Sequence, residues 1–359
     1  MLFTLPDSDQ LYAALVARDA TYDGRAFVGV TSTGIFCRLT CPARNPKREN
    51  CRFFDSAAAC VEAGFRPCLR CRPLGQIDPA HQALLTEVSE NPTRRWSEAD
   101  LVARGFDPST LRRVFRRQFG MTFLELARQA RLRAGFGTLA GGGRVIDAQL
   151  EAGFDSPSGF RTAFARLLGR APGAFTGKEM LKADWIDTPL GGMIAVADKS
   201  ALHLLEFTDR RALPAELRRL SGLVRGDLGL GRGAISEAVA DLLARYFDGQ
   251  AVDFDVPMAL HGSDFARAVW DALCKIPAGV TQSYSDIART IGRPEAVRAV
   301  ARANGANQIA VLIPCHRVIG ADGALTGYGG GLWRKERLIA LERRIAVERS
   351  ALHEVGPNF

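Results

Sequence analysis

Two short cysteine pairs constrain the start of this chain more than any other feature: Cys37 and Cys41 in GIFCRLTCPAR, and Cys68 and Cys71 in GFRPCLRCRP. Two close pairs a small module apart match a tetrahedral zinc held by four thiolates, and such a metal would organise a segment poor in core residues. Spacing alone fits a purely structural zinc. Cys51 and Cys60 fall outside the pattern and read as small buried or partly buried residues. Six of the eight cysteines lie before residue 79 and none between 80 and 178. At 359 residues the chain has room for two or three domains. No apolar run reaches membrane-helix length, and MLFTLPDSDQLYAALVARD lacks the basic-then-apolar order of a signal peptide, so the cytoplasm is expected and no membrane partner. There, cysteines serve as metal ligands, reactive thiols or core residues rather than a disulfide framework.

The cysteine-free stretch carries an internal repeat. GFDPSTLRRVFRRQFG begins at Gly105 and GFDSPSGFRTAFARLLG at Gly153. In the second copy Phe160, Ala163, Phe164, Leu167 and Leu168 follow helical spacing and form one buried face; Leu111, Val114, Phe115 and Phe119 do so in the first, with Gln118 interrupting the stripe. Each copy follows a helical run that stops at glycine, so each reads as a helix-turn-helix with arginine outward: Arg112, Arg113 and Arg116, then Arg161 and Arg166. From Arg94 to Lys178 there are 15 Lys/Arg against 7 Asp/Glu, an excess equal to the +8 of the whole chain. That favours a polyanion partner, nucleic acid foremost, although a solvated arginine-rich surface explains charge alone equally well. The pair of units resembles the DNA-binding domain of AraC-type regulators; a generic helical bundle is the alternative.

Beyond about residue 183 the pattern changes to short apolar runs, a helical stretch and then VLIPCHRVIG, with Cys315 beside His316. An ordinary core cysteine leaves His316 unexplained. A zinc site lacks neighbours, because His203, His261 and His353 are scattered in sequence, and no papain-like signature is present. An activated alkyl acceptor is the fourth reading, and the residues around Cys315 alone leave the four open.

Ser32 to Pro73 resembles the N-terminal domain of the Ada family. The resemblance implies that zinc is both structural and reactive there, with the thiolate of Cys37 taking a methyl group from a methylphosphotriester in the DNA backbone. Four thiolates around Zn²⁺ leave a net negative charge; methylating one removes a charge, weakens repulsion of phosphate and raises DNA affinity. Thr33, Arg44, Arg66 and Arg70 match positions that face the backbone, while Pro42 stands where a basic residue is found in a family member.

IPCHRVIGADGALTGYGGGLWRKERLIALE, with AGVTQSYSDIARTIGRPEAVRAVARANGANQIAVLIP before it, resembles the O6-alkylguanine-DNA alkyltransferase domain over about Asp264 to Glu342. This implies a methylated-DNA–protein-cysteine methyltransferase that works once per acceptor. Cys315 accepts, His316 relays its proton through a water, and Glu342, on a helix whose buried face holds Leu338 and Leu341, fixes the imidazole. Asn307 orders the turn before the Cys315 strand. Arg298 fills the gap left by a flipped guanine, Tyr284 pushes its phosphate, and Tyr328 donates to the base, whose exocyclic amine is read by backbone near Cys315 and Val318. Gly329 stands where some relatives have a hydroxyl, and Ala310 where some have proline.

The three resemblances together follow the order of the Ada family. The expected fold is multidomain α+β: a four-cysteine zinc-binding α/β domain (1–78), an all-α double helix-turn-helix domain (80–178), and an alkyltransferase with an α/β N-terminal subdomain (183–255) and a mostly helical, winged-helix-like C-terminal subdomain (256–349). RPLGQIDP and TGKEMLKAD are the expected linkers. Partners are double-stranded DNA, as substrate and promoter, and RNA polymerase, with one Zn²⁺ and no small-molecule effector; the protein would associate with the nucleoid. The rival readings are an AraC-type regulator whose C-terminal domain no longer repairs, and a constitutive repair protein that activates nothing.

Overall fold

A computed structural model of the chain describes residues 6–22, 26–55, 59–60, 63–68, 70–71, 79–175, 181–223 and 228–354. It divides into two compact units, Met1–Thr86 and Glu87–Phe359. Residues 72–78 of RPLGQIDP and 176–180 of TGKEMLKAD lie outside the described residues. The rest of the second expected linker, Leu181 to Asp184, is strand.

In the first unit, helix α1 (Ser8–Ala17) precedes a four-stranded sheet ordered β3-β1-β2-β4: β1 (Phe27–Val30), β2 (Ile35–Arg38), β3 (Cys51–Phe54) and β4 (Arg66–Pro67). Asp7 starts α1 by accepting from the Asp9 and Gln10 amides. β1 and β2 are antiparallel, with Val28 opposite Cys37. Side chains alternate along β2, so Phe36 packs with Phe27 and Phe65 on one face while Cys37 turns to Leu11, Leu15 and Leu39 on the other. Cys51 and Cys60 are both buried, as their isolation from the paired spacing implies.

The unit division falls within α2 (Pro79–Glu90). The repeat then folds as two helix-turn-helix units, α3 (Glu98–Ala103) with α4 (Pro108–Phe119), and α6 (Val145–Glu151) with α7 (Pro157–Leu168), joined by α5 (Phe123–Ala140). Asp107 and Ser156 cap the second helix of each unit by accepting from the Thr110 and Gly159 amides, with proline at the first helical position. Gly120 and Gly169 end them at φ 71° and 76°. Phe115, Phe160 and Phe164 are fully buried, each contributing about 1.5–3 kcal/mol relative to exposure.

A second sheet, ordered β7-β6-β5-β8, is formed by β5 (Leu181–Ile186), β6 (Met193–Ala197), β7 (Leu202–Phe207) and β8 (Leu228–Leu230). β6 is apolar and buried along its whole length, and β7 is buried throughout although it carries His203 and Glu206, because both faces of the sheet are covered. Trp185, Ile194, Val196 and Leu204 share a core with Leu132, Phe136, Phe160 and Phe164 of α5 and α7, and with α8 (Leu213–Leu223). Met193, Ala195, Leu205 and Phe207 face the other way, toward α9 (Ala234–Phe247), α10 (Asp264–Cys274) and the segment around Cys315. The seam between the arginine-rich helices and the sheet also holds Arg133 Nε on Asp187 (3.1 Å) and Thr208 on Gln129 (3.1 Å). Helices α11 (Tyr284–Thr290) and α12 (Val297–Gly305), a two-residue parallel ladder of β9 (Gln282–Ser283) with β10 (Val318–Ile319), and α13 (Leu332–Glu354) complete the unit. Among the described residues no helix is long and apolar enough to cross a membrane.

Candidate functional site

The segment before Cys315 is not a strand. Its backbone folds in consecutive tight turns, Leu312 N donating to Ala310 O (2.9 Å) and Cys315 N to Ile313 O (2.8 Å), and Cys315–Arg317 form a short 3₁₀ turn. Val311 sits at φ 72°, a conformation that a β-branched residue adopts only under constraint. The constraint is Asn307, which replaces ladder partners with its side chain. Its Oδ1 accepts from Ile309 N (2.9 Å) and its Nδ2 donates to Ile313 O (2.9 Å). The same amide reaches Cys315 Sγ at 3.1 Å, a contact beyond the ordering role expected of it.

His316 is fully buried, and its Nε2 lies 2.9 Å from Glu342 Oε1. Beside a carboxylate, Nε2 carries the proton, which leaves Nδ1 as a lone pair. That atom is buried with no hydrogen-bond partner among the described residues, as required of a group that takes a proton through a water. Burial lowers the imidazole's pKa against the pull of Glu342. It also pushes the Cys315 thiol up to about 11, so sulfur rests protonated and needs a base at the moment of reaction. Glu342 is buried on α13, directly after Leu341 and one turn beyond Leu338, rather than lying on the helix surface. Arg317 grips it through Nε (2.9 Å) and Nη2 (2.8 Å), and Tyr246 donates its hydroxyl at 2.9 Å. Although burial would raise the Glu342 carboxyl, His316 and Arg317 outweigh it and hold the group well below the usual range.

Tyr328 stands at 82° to the His316 ring, and its buried hydroxyl has no hydrogen-bond partner among the described residues. The Val318 carbonyl accepts from Lys335 Nζ and the Cys315 carbonyl from Asn304 Nδ2 (3.4 Å). Arg298 is exposed on α12, as are Ala299, Ala301 and Arg302. Tyr284 is half-buried at the start of α11, its hydroxyl 3.4 Å from Thr326 O.

In the first unit, the Sγ atoms of Cys37, Cys41, Cys68 and Cys71 all lie within 4.8 Å of one another, and Cys41 and Cys68 are 3.9 Å apart. Thiolates at about 2.3 Å from a tetrahedral zinc have nearly this spacing. Cys37 is buried at the end of β2, while Thr33, Arg44, Arg66 and Arg70 are exposed.

Three family models match the chain: the metal binding domain of Ada over 10–73, a helix-turn-helix domain over 103–178, and the DNA binding domain of 6-O-methylguanine DNA methyltransferase over 264–344. The Regulatory protein ada of Salmonella typhimurium is 35% identical over 93% of this chain and 96% of its own length. The Bifunctional transcriptional activator/DNA repair enzyme Ada of Escherichia coli is likewise 35% identical, over 93% of this chain and 96% of its length. The chain belongs to the Ada family. The O6-methylguanine methyltransferase structure of Mycobacterium tuberculosis, at 44% identity, covers 46% of this chain and 93% of its own, with a TM-score of 0.41.

In this Ada-family chain the four cysteines form one Zn²⁺ site. Arg112, Arg113, Arg116 and Arg161 are all exposed on α4 and α7, with Arg112 also paired to Glu98 at 2.6 Å. His203 and His261, far apart in sequence, meet at 2.9 Å, away from any cysteine cluster among the described residues. Sequence reasoning missed Arg317 and Tyr246, the partners that make a buried Glu342 tenable. Arg317 follows His316 directly, which was the available signal.

Glu342→Gln should cost about 3–5 kcal/mol of stability in the second unit, because Arg317 would keep its charge and lose its counter-ion. Glu342's depressed pKa contributes stability that is complete above about 4.3, its ordinary value, and is lost as pH falls through the lower folded value. Urea unfolding followed by tryptophan fluorescence should therefore show a shallower acid-side decline in E342Q. All four tryptophans, 96, 185, 270 and 333, report from this unit.

Proposed function

We propose that this chain repairs methylated DNA by transferring methyl groups irreversibly to two of its own cysteines, and that methylation of the first turns it into a transcriptional activator. The observation that carries base repair is the line Asn307–Cys315 and His316–Glu342, with His316 Nδ1 and Tyr328 Oη buried and without a hydrogen-bond partner among the described residues. The thiol proton passes through a water to His316 Nδ1, and Glu342 balances the imidazolium. Sulfur then bonds to the O6-methyl carbon of a flipped guanine, the carbon–O6 bond breaks, and its electron pair stays on the base. Tyr328 hydrogen-bonds the departing base and guanine leaves neutral, the proton taken from sulfur having passed to it. A thioether has no leaving path, so each acceptor works once.

Zn²⁺ keeps the Cys37 sulfur as a thiolate at neutral pH, so no base is needed at that acceptor. The Cys37 sulfur bonds to the methyl carbon of a phosphotriester, the carbon–oxygen bond breaks and its electron pair leaves a phosphodiester anion, with Thr33, Arg44, Arg66 and Arg70 along the backbone. Double-stranded DNA is the partner of both units: Arg298 fills the stack, Tyr284 displaces the phosphate, and Arg112, Arg113, Arg116 and Arg161 meet promoter DNA. The domain limits that go with this reading are 1–78, 80–178, 183–255 and 256–349. It works at the nucleoid in the cytoplasm, with RNA polymerase as the protein partner and no small-molecule effector.

Incubation with duplexes carrying O6-methylguanine or methylphosphotriesters, followed by peptide mass mapping, should find one added methylene on Cys315 and on Cys37 respectively. An unmodified Cys315 sinks base repair; an unmodified Cys37 sinks the switch.

A further inference from the structure

The relay explains where the Cys315 proton goes, but not what makes negative charge on a buried sulfur tolerable. Three charged groups act directly on this thiol: Glu206 on β7 opposes ionisation, while Arg210, in the turn after β7, and Lys335 on α13 favour it. His316, with Glu342 and Arg317 behind it, is its neighbour in the chain. Tyr328 is uncharged, its hydroxyl raised well above the ordinary range by burial. Lys335 Nζ is directed at the carbonyls of Val318 and Thr326.

Arg210 is placed differently. Its side chain is 8% exposed. Nη1 donates to the Glu206 carboxylate and to Asn307 O (3.0 Å), Nη2 donates to Gly305 O (3.0 Å), and Glu216 of α8 lies at 3.3 Å. Those two carbonyls close α12 and open the Asn307 turn, where a cation is favoured by the helix C-terminus. Nε has no acceptor among the described residues, and it faces Gly329: a Cβ there would stand 2.9 Å from Nε and 3.1 Å from Cζ. The missing side chain at 329 is what admits the guanidinium next to Tyr328.

We propose that Arg210 is a positioning residue for the Cys315 reaction: by gripping the Gly305 and Asn307 carbonyls it fixes the turn whose amide donates to sulfur, and its charge, set against the bare backbone of Gly329, favours the thiolate. This rests on Cys315 being the alkyl acceptor. Glu206, pushed up to about 7 by burial against the pull of Arg210, is ionised where the thiol titrates and supplies a control of opposite sign.

The test is single-turnover transfer from O6-methylguanine duplex DNA to the full-length zinc-loaded chain, from about pH 6 to 10. Because the thiol titrates above this range, moving it about one to two units further up in Arg210→Met should slow transfer about 10- to 100-fold at every pH of the series. Arg210→Lys should recover most of the loss, and Glu206→Gln should move the rate the other way. If R210M does not fold, E206Q and the double variant E206Q/R210M carry the test, the double reacting more slowly than E206Q alone. An R210M rate equal to wild type across the series, or a loss that Arg210→Lys does not recover, overturns the proposal. Absence of transfer by the wild-type chain instead defeats the reading of Cys315 itself.

Discussion

Replacing Cys315 with serine should abolish methyl transfer from O6-methylguanine while leaving transfer to Cys37 intact. In this site even a thiol is pushed up to about 11. An alcohol begins several units higher, near water's ~15.7, so the ionised fraction falls by on the order of 10⁴ or more. His316 cannot close that gap, because burial already weakens it as a base. The size change is small and the Asn307 amide keeps an acceptor, so the fold should persist and the effect should lie in chemistry alone. Peptide mapping after exposure to both kinds of damage checks it: C315S should carry a methyl on Cys37 and none at 315. A serine variant that still removes the methyl from guanine would mean that another residue is the acceptor.

Removing zinc, or one of its ligands by Cys68→Ala, should unfold the first unit and leave the second folded. The apolar core around the cysteines is small, built on Leu11, Leu15, Val28 and Leu39, and three of the four ligands are buried within it. Structural zinc sites contribute about 10–16 kcal/mol in small modules. That exceeds most of the 5–15 kcal/mol by which whole domains are stable. Hydrogen exchange should therefore show β1 to β4 losing protection in C68A, with zinc absent from the purified protein. Tryptophan fluorescence should not change, since no tryptophan precedes residue 96. Protected β1–β4 amides in metal-free protein would overturn the claim.

Both experiments concern sites that were legible because their signals are local. Four cysteines in two close pairs announce a metal, and the repeated glycine, cap and arginine pattern announces its two helix-turn-helix units. Cys315 and His316 were legible as neighbours, and Glu342 through resemblance. What supports them was not. Asn307's reach to sulfur depends on a turn that puts Val311 at positive φ, and nothing in NQIAVLIPCH marks that residue. Tyr246 and Glu342 are 96 positions apart, and Arg210 reaches Asn307 across 97. Buried polar contacts of this range leave no periodicity to read. The Cys315 segment looked like a strand because it is apolar, yet side-chain bonds from one asparagine replace the ladder.

The seam between the arginine-rich helices and the second sheet bears on how this chain can be divided. A fragment beginning at Leu181 would retain Cys315, His316 and Glu342, yet expose the face formed by Trp185, Ile194, Val196 and Leu204. An uncovered apolar sheet face is an invitation to self-association. Trimming the gene at that point would thus yield a fragment whose weakness is solubility and expression, with its reactive centre otherwise whole.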